Sequence, residues 1–227
     1  RDLTEKELAS LEAKIISQPQ NLRARRFLFN HYYAKKHWSH AHRVLGESYQ
    51  KLDIIELTNY SQVLFEIKQT DRGLAVIRFL NEKHNASGRS KYLEGMLLKQ
   101  KLDKTSGDPN LTKKLVASAV DAFKQSIQLK PKLEDAYLGW IALIEKFTEH
   151  SELEALQVYE KLQSVNGARP QYNIHKCKLY YRASYLDQAI KSCTNALKSF
   201  PKNPDSYLFL SMAYADMKEM VKAKKYL

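Results

Sequence analysis

Cysteine is scarce. Two residues in 227, Cys177 and Cys193, are too few for a disulfide-built scaffold and allow at most one bridge, a usage that points mildly to a reducing compartment. Glycine is sparse as well, and so is proline. All six prolines (Pro19, Pro109, Pro131, Pro170, Pro201, Pro204) stand between helical windows rather than inside one, where the missing N–H and the ring would break the helix. Alternating valine and isoleucine runs are missing, so no strand is expected. The longest apolar run, Ala136–Ile144, is far short of the roughly 20 residues a membrane helix needs. No nucleophile elbow, phosphate loop or dinucleotide fingerprint occurs, so neither catalysis, nor a cofactor, nor a small-molecule substrate is expected. Acids are outnumbered, 25 against 37 Lys and Arg, for a net charge of +12. That excess bears on solubility and anionic partners, not on fold. The chain opens on Arg1 with no charged-then-apolar leader. The expectation is a trimmed or processed start and a cytoplasmic chain, with a periplasmic or secreted one as the alternative.

What is present is helical. Leu, Ala, Lys, Glu and Gln fill windows of about a dozen residues with apolar spacings of three and four. These windows repeat. Small residues at Ala41, Gly73, Ala119, Ala155, Ala189 and Ala223 recur at steps near 34, and bulky residues at Tyr32, Leu64, Leu98, Ile144, Tyr180 and Tyr214 accompany them. In four of the six cases the bulky residue precedes its small partner by nine. Such a period predicts pairs of antiparallel helices, the small residue on the second helix letting two backbones approach.

The stretch YLDQAIKSCTNALKSFPKNP (185–204), with Ala189, Ala196 and Pro201, resembles the second helix of the tetratricopeptide repeat family. VDAFKQSIQLKP (120–131), with Phe123 and Pro131, matches again, and Leu28, Tyr32, Tyr207, Leu210, Ser211 and Tyr214 match its first helix. The resemblance covers nearly the whole chain. It implies one domain, 1–227, folded as an all-α, right-handed α-solenoid: a leading helix at 4–17 opened by a capping box at Thr4 and Glu7, then repeats at 22–53, 54–87, 88–133, 134–169, 170–203 and an incomplete 204–227. Phe29 and Ile141 stand where the family prefers a small residue, so looser packing is expected in the first and fourth repeats. An array ending without a polar cap leads us to expect further chain beyond Leu227.

HYYAKKHWSHAH (31–42) holds four histidines. His37 falls in the inter-helix turn, and His40 and His42, two apart on a helix, point about 200° from one another. The expectation is turn and surface histidines and no metal; a metal site would need His37 and His40 plus ligands from elsewhere. Cys177 and Cys193 face each other across the fifth pair, and buried thiols are expected there, with a disulfide or redox pair as the alternative. KQKLDKTSGDPNLTKKL (99–115) interrupts the period. Its SGDPN turn cluster predicts that both helices of the third repeat are extended by about six residues, into a basic spur carrying Lys99, Lys101, Lys104, Lys113 and Lys114 that reads either as a solvated loop or as a second docking surface.

The first helices of such an array line its concave wall. Wall candidates are Arg23, Arg26, Asn30 and Tyr33, then Asn59 and Gln62, then Arg89, Tyr92 and Met96, and later Gln171, His175, Lys178 and Arg182. A basic, amide-bearing wall suits an extended acidic or carboxylate-terminated peptide, which makes the chain a scaffold or adaptor whose partner is another protein. Tetratricopeptide domains that hold the acidic tails of heat-shock chaperones place basic and asparagine residues where Arg26, Asn30, Asn59 and Arg89 stand here; Leu93 occupies the fifth place. The alternatives are a nonspecific nucleic-acid-binding basic solenoid and a structural part of a bacterial secretion or pilus assembly. A base-reading code would need a recurring polar residue at one place, and the series Arg26, Thr58, Tyr92, Leu138, Ile174, Leu208 turns apolar after its third member. A defined RNA is therefore expected to bind less than about a thousandfold tighter than its scrambled counterpart at physiological salt, measured by filter binding; a larger ratio would exceed what charge alone supplies.

Overall fold

The computed structural model describes residues 3–105 and 108–227. Among them every regular element is helical: α1 (Glu5–Ser17), α2 (Leu22–Ala34), α3 (Trp38–Leu45), α4 (Ile54–Glu66), α5 (Thr70–Lys83), α6 (Gly88–Leu102), α7 (Pro109–Leu129), α8 (Glu134–Phe147), α9 (Glu152–Asn166), α10 (Pro170–Arg182), α11 (Leu186–Ser199), α12 (Pro204–Asp216) and α13 (Met220–Lys225). A 3-10 segment, Gly46–Lys51, follows α3. The chain is an all-α helical-repeat solenoid whose packed pairs are α2/α3, α4/α5, α6/α7, α8/α9, α10/α11 and α12/α13. They form two compact bodies, Arg1–Lys130 and Pro131–Leu227. No described helix is long and apolar enough to cross a membrane.

Local chemistry sets the helix starts. The Thr4 side chain accepts from the Glu7 N–H while the Glu7 carboxylate accepts from the Thr4 N–H, the capping box expected there. Pro109, Pro170 and Pro204 open α7, α10 and α12, where a missing N–H costs nothing. Four turns within pairs share one device. Lys36, Lys68, Ser184 and Lys218 adopt φ between 57° and 64°. The residue after each donates its N–H back to the carbonyl of Tyr32, Leu64, Tyr180 or Tyr214 at 2.9 Å. This is the left-handed helix-ending motif that glycine usually fills. A side chain there costs on the order of 1 kcal/mol per turn.

The repeating small residues sit at the crossings: Ala41, Gly73, Ala119, Ala155, Ala189 and Ala223 are all buried. A Cβ on Gly73 would lie 2.7 Å from a Leu97 methyl, and one on Gly95 would lie 2.7 Å from the Phe123 ring. The first body adds an aromatic core in which Tyr60 meets Phe29 edge-on at 6.2 Å and Tyr49 at 6.0 Å, each such ring contributing about 2–3 kcal/mol by burial. The bulk of Phe29 is absorbed there. The first pair is nonetheless the irregular one, α3 being 8 residues long and running on as the 3-10 segment. The fourth pair, with Ile141 buried, keeps full-length helices of 14 and 15 residues.

Two expectations are corrected. The extension of the third repeat falls almost wholly on its second helix: α6 has 15 residues and α7 has 21, against 13 and 14 in α4 and α5. Asp108 caps α7 and Pro109 opens it, so the start signal comes early and the added residues join the second helix; Ser106 and Gly107 of the turn cluster lie outside the described residues. Cys177 and Cys193 are not thiols but a disulfide, Cα to Cα 4.9 Å. The approach is possible because the buried residues of α11 are all small: Ala189, Ser192, Cys193 and Ala196.

Gly95→Ala is expected to lower stability by about 1–3 kcal/mol in urea titrations, since the Phe123 ring must shift. Ser184→Gly, relieving a left-handed turn, should act in the opposite direction by about 0.5–1 kcal/mol.

Candidate functional site

In the first body, α2, α4 and α6 carry the wall residues. Arg89, on α6, is exposed, and its Nη2 donates to the Tyr33 hydroxyl at 3.0 Å and to Gln62 Oε1 at 2.8 Å; Tyr33 in turn donates to Gln62 Oε1 at 3.3 Å. Three helices thus meet in one polar cluster. Both acceptors are neutral, and among the described residues no carboxylate pairs with Arg89. The guanidinium is oriented without being neutralised, which leaves its charge and remaining donors available to an anion. Asn59 is half-buried on α4 and makes no hydrogen bond to this cluster. Tyr92 is half-buried on α6, its ring centroid 6.3 Å from that of Phe123 on α7, and it packs against Ile77, Leu93 and Leu97.

Arg26 does not belong with Arg89. Its Nε donates to Glu56 Oε1 at 2.6 Å and its Nη2 to Asp53 Oδ2 at 2.9 Å. The bond to Glu56 holds the Arg26 guanidinium above its ordinary pKa. The four-residue anion patch of Arg26, Asn30, Asn59 and Arg89 is therefore corrected: α4 brings its own two carboxylates to the place where the clamp needs an unpaired cation. These acids were visible in the sequence as the capping box Asp53-Ile54-Ile55-Glu56, whose side chains also hold the first turn of α4. Arg23, Arg26 and Asn30 line a recess of about 450 Å³ with Leu22, Phe27 and Glu56.

The spur lysines divide. Lys101 pairs with Asp71 at 2.7 Å. Lys104 donates to the Lys68 carbonyl at 2.8 Å and to Thr70 Oγ1 at 3.0 Å. Both tie the end of α6 to the α4–α5 turn. Lys99 is half-buried, and Lys113 and Lys114 are exposed. The histidines divide too. His37 and His40 are exposed with ring centroids 6.1 Å apart. His42 points inward, its Nδ1 3.0 Å from the Tyr60 hydroxyl, which also donates to the Gly46 carbonyl at 3.3 Å, so the fully buried tyrosine has its hydroxyl satisfied. Among the described residues no group of three or more His, Cys, Asp or Glu is placed to hold a metal ion.

In the second body the later wall is electrically balanced. Lys178 lies 3.6 Å from Glu145 and Arg182 3.6 Å from Glu152. Glu145, Glu152 and Arg182 line a recess of about 630 Å³. His175 stacks on Tyr159 at 6.1 Å and 15°. Gln171 is exposed nearby in sequence. Below them Tyr172 donates to Glu134 at 2.7 Å while Arg169 pairs with the other oxygen at 2.6 Å. Burial, then that bond, pushes the Tyr172 hydroxyl up to about 12.

No family model matches the sequence, and no curated protein matches it. Solved structures do resemble the fold. YrrB, described as a TPR protein with an unusual peptide-binding site, superposes with a TM-score of 0.61 at 16% identity, over 81% of this chain and 87% of that one. TTC0263, a thermophilic TPR protein from Thermus thermophilus, gives 0.56 at 16% identity, over 85% and 98%. A human IFIT1 dimer with PPP-AAAA gives 0.57 at 14% identity, over 97% of this chain and 57% of that one. The fold is that of tetratricopeptide-repeat proteins.

Replacing Arg26 by Ala is expected to cost about 1 kcal/mol of stability, a modest figure because the side chain is 39% exposed. Adding Glu56→Gln should recover part of it by neutralising the stranded, 8% exposed carboxylate. Thermal and urea denaturation of the single and double variants read this directly.

Proposed function

We propose that the chain is a non-enzymatic protein-interaction scaffold that takes an extended, acidic or carboxylate-terminated peptide across α2, α4 and α6, with Arg89 as its anion-holding residue. The observation that carries this reading is the Arg89–Tyr33–Gln62 cluster. A cation is held in place by two neutral oxygens on two other helices, exposed, on a chain with a net charge of +12. A carboxylate arriving there meets an oriented guanidinium fork, the geometry that favours bidentate binding. The neighbouring recess beside Phe27, with Arg23 and Asn30 on its rim, gives the peptide a place for an adjoining side chain. The peptide-binding site named for YrrB, on the same fold, is in keeping with this use. The IFIT1 structure, with its PPP-AAAA, makes a short oligonucleotide the natural competitor to try.

The test uses a fluorescein-labelled peptide of about ten residues, rich in Glu and Asp and with a free C-terminus, its lysine-rich counterpart, and an oligoadenylate of similar charge, read by anisotropy at physiological salt. The acidic peptide should bind and the basic one should not. Arg89→Ala should weaken binding about 10- to 100-fold, the worth of one charge-assisted pair, and Lys178→Ala, in the second body and paired with Glu145, should change it less than about threefold. Wild-type affinity in Arg89→Ala, or tighter binding of the oligoadenylate than of the peptide, would overturn the reading. Pull-down with mass spectrometry then identifies the natural partner.

A further inference from the structure

One helix crossing departs from the way the others are filled. Counted from the repeat's bulky residue and its small residue, the same two places across each of the first five pairs hold Phe29 and Leu45, Ser61 and Ile77, Gly95 and Phe123, Ile141 and Tyr159, and Cys177 and Cys193. Each place is buried in all five. The Gly95–Phe123 contact shows how tight the crossing is. Four pairs fill it with at least one large apolar side chain, whereas the fifth fills it with a covalent bond. Little else is available there. The buried residues of α10 are Tyr172, Cys177 and Leu179, and those of α11 are two alanines, a serine and Cys193. Leu210 of α12 is the third fully buried member of this cluster, with Ile190, Leu197, Phe209, Tyr214 and Tyr226 packed around it.

We propose that the Cys177–Cys193 bond is a redox-sensitive clip that fixes α10 to α11, so that the face carrying His175, Lys178 and Arg182 is ordered only where thiols are oxidised. Forming the clip takes two electrons from the cysteines. One thiolate attacks a small-molecule or protein disulfide to give a mixed disulfide, and the second thiolate displaces the carrier. The oxidant leaves as two thiols carrying the two protons. Both sulfurs are fully buried in the product, so reduction must pass through an opening of the α10–α11 pair, and the closed pair protects its own bond. The reduced chain has two small thiols where a crossing needs either volume or a bond, and it lacks the chain-entropy restriction that closing a 16-residue separation imposes. The first body has no part in this and acts as an internal reference. The proposal is independent of which partner binds.

Amide hydrogen exchange on the full chain tests it, comparing protein oxidised with oxidised glutathione, protein reduced with a phosphine, and two variants. Reduction is expected to lower protection in α10, α11 and α12 about 100-fold and to leave α4 and α5 within about threefold. A Cys177→Ser, Cys193→Ala variant should behave as the reduced protein under all conditions. A Cys177→Ser, Cys193→Ile variant, which copies the Ser61–Ile77 crossing, should keep at least part of the protection and lose all redox dependence, which separates loss of the bond from failure to fold. Thiol counting accompanies each sample. Two titratable thiols persisting after incubation with oxidised glutathione, or reduced wild-type protein with the protection of the oxidised form, would overturn the proposal.

Discussion

Everything in this chain depends on how closely two helices of a pair may approach. Ala41, Gly73, Ala119, Ala155, Ala189 and Ala223 keep the crossing free of side-chain bulk, and in the first five pairs the residue four positions later is buried at the crossing as well. Where Gly95 gives up its side chain, Phe123 takes the space; where Ser61 is small, Ile77 is large. At these two crossings a small residue on one helix is matched by a large one on the other, as close-packed interiors require. The first helices inherit their spacing from these crossings. That spacing is what lets Arg89 reach Tyr33, 56 residues away in sequence.

Charge is arranged on a second principle. Cations are plentiful, yet Arg26, Lys101, Lys178 and Arg182 each face a carboxylate of another helix or turn. Such pairs contribute little individually when exposed, but they remove those cations from the pool that could meet a partner. Arg89 differs because its acceptors are a phenol and an amide. A basic composition therefore says less about binding than the identity of each cation's nearest oxygen.

The period, the helix pairs and the buried small residues were legible because they obey a local rule: each residue repeats at a fixed distance along the chain. The capping box at Thr4 and Glu7 was legible for the same reason. Arg26 was misread because its partners lie 27 and 30 residues away, at the start of α4. Asp53 and Glu56 advertise themselves as a cap without showing which cation they will also hold. The two cysteines were placed on facing helices from sequence, but whether facing sulfurs bond depends on the separation of two backbones, which the smallness of Ala189, Ser192 and Ala196 decides. The long α7 was misjudged because the period counts inserted residues without saying which helix will absorb them.

Substantial packing among the described helices joins only near neighbours in the chain: adjacent elements, plus α4 with α6 and α10 with α12. None of it has to close a long loop, so the entropy spent before the first native contacts form is small and any of the pairs can serve as the starting point of folding. A topology of that kind should reach its native state rapidly and through several parallel routes, and a lesion in one pair is felt by the pair beside it far more than by one two repeats away.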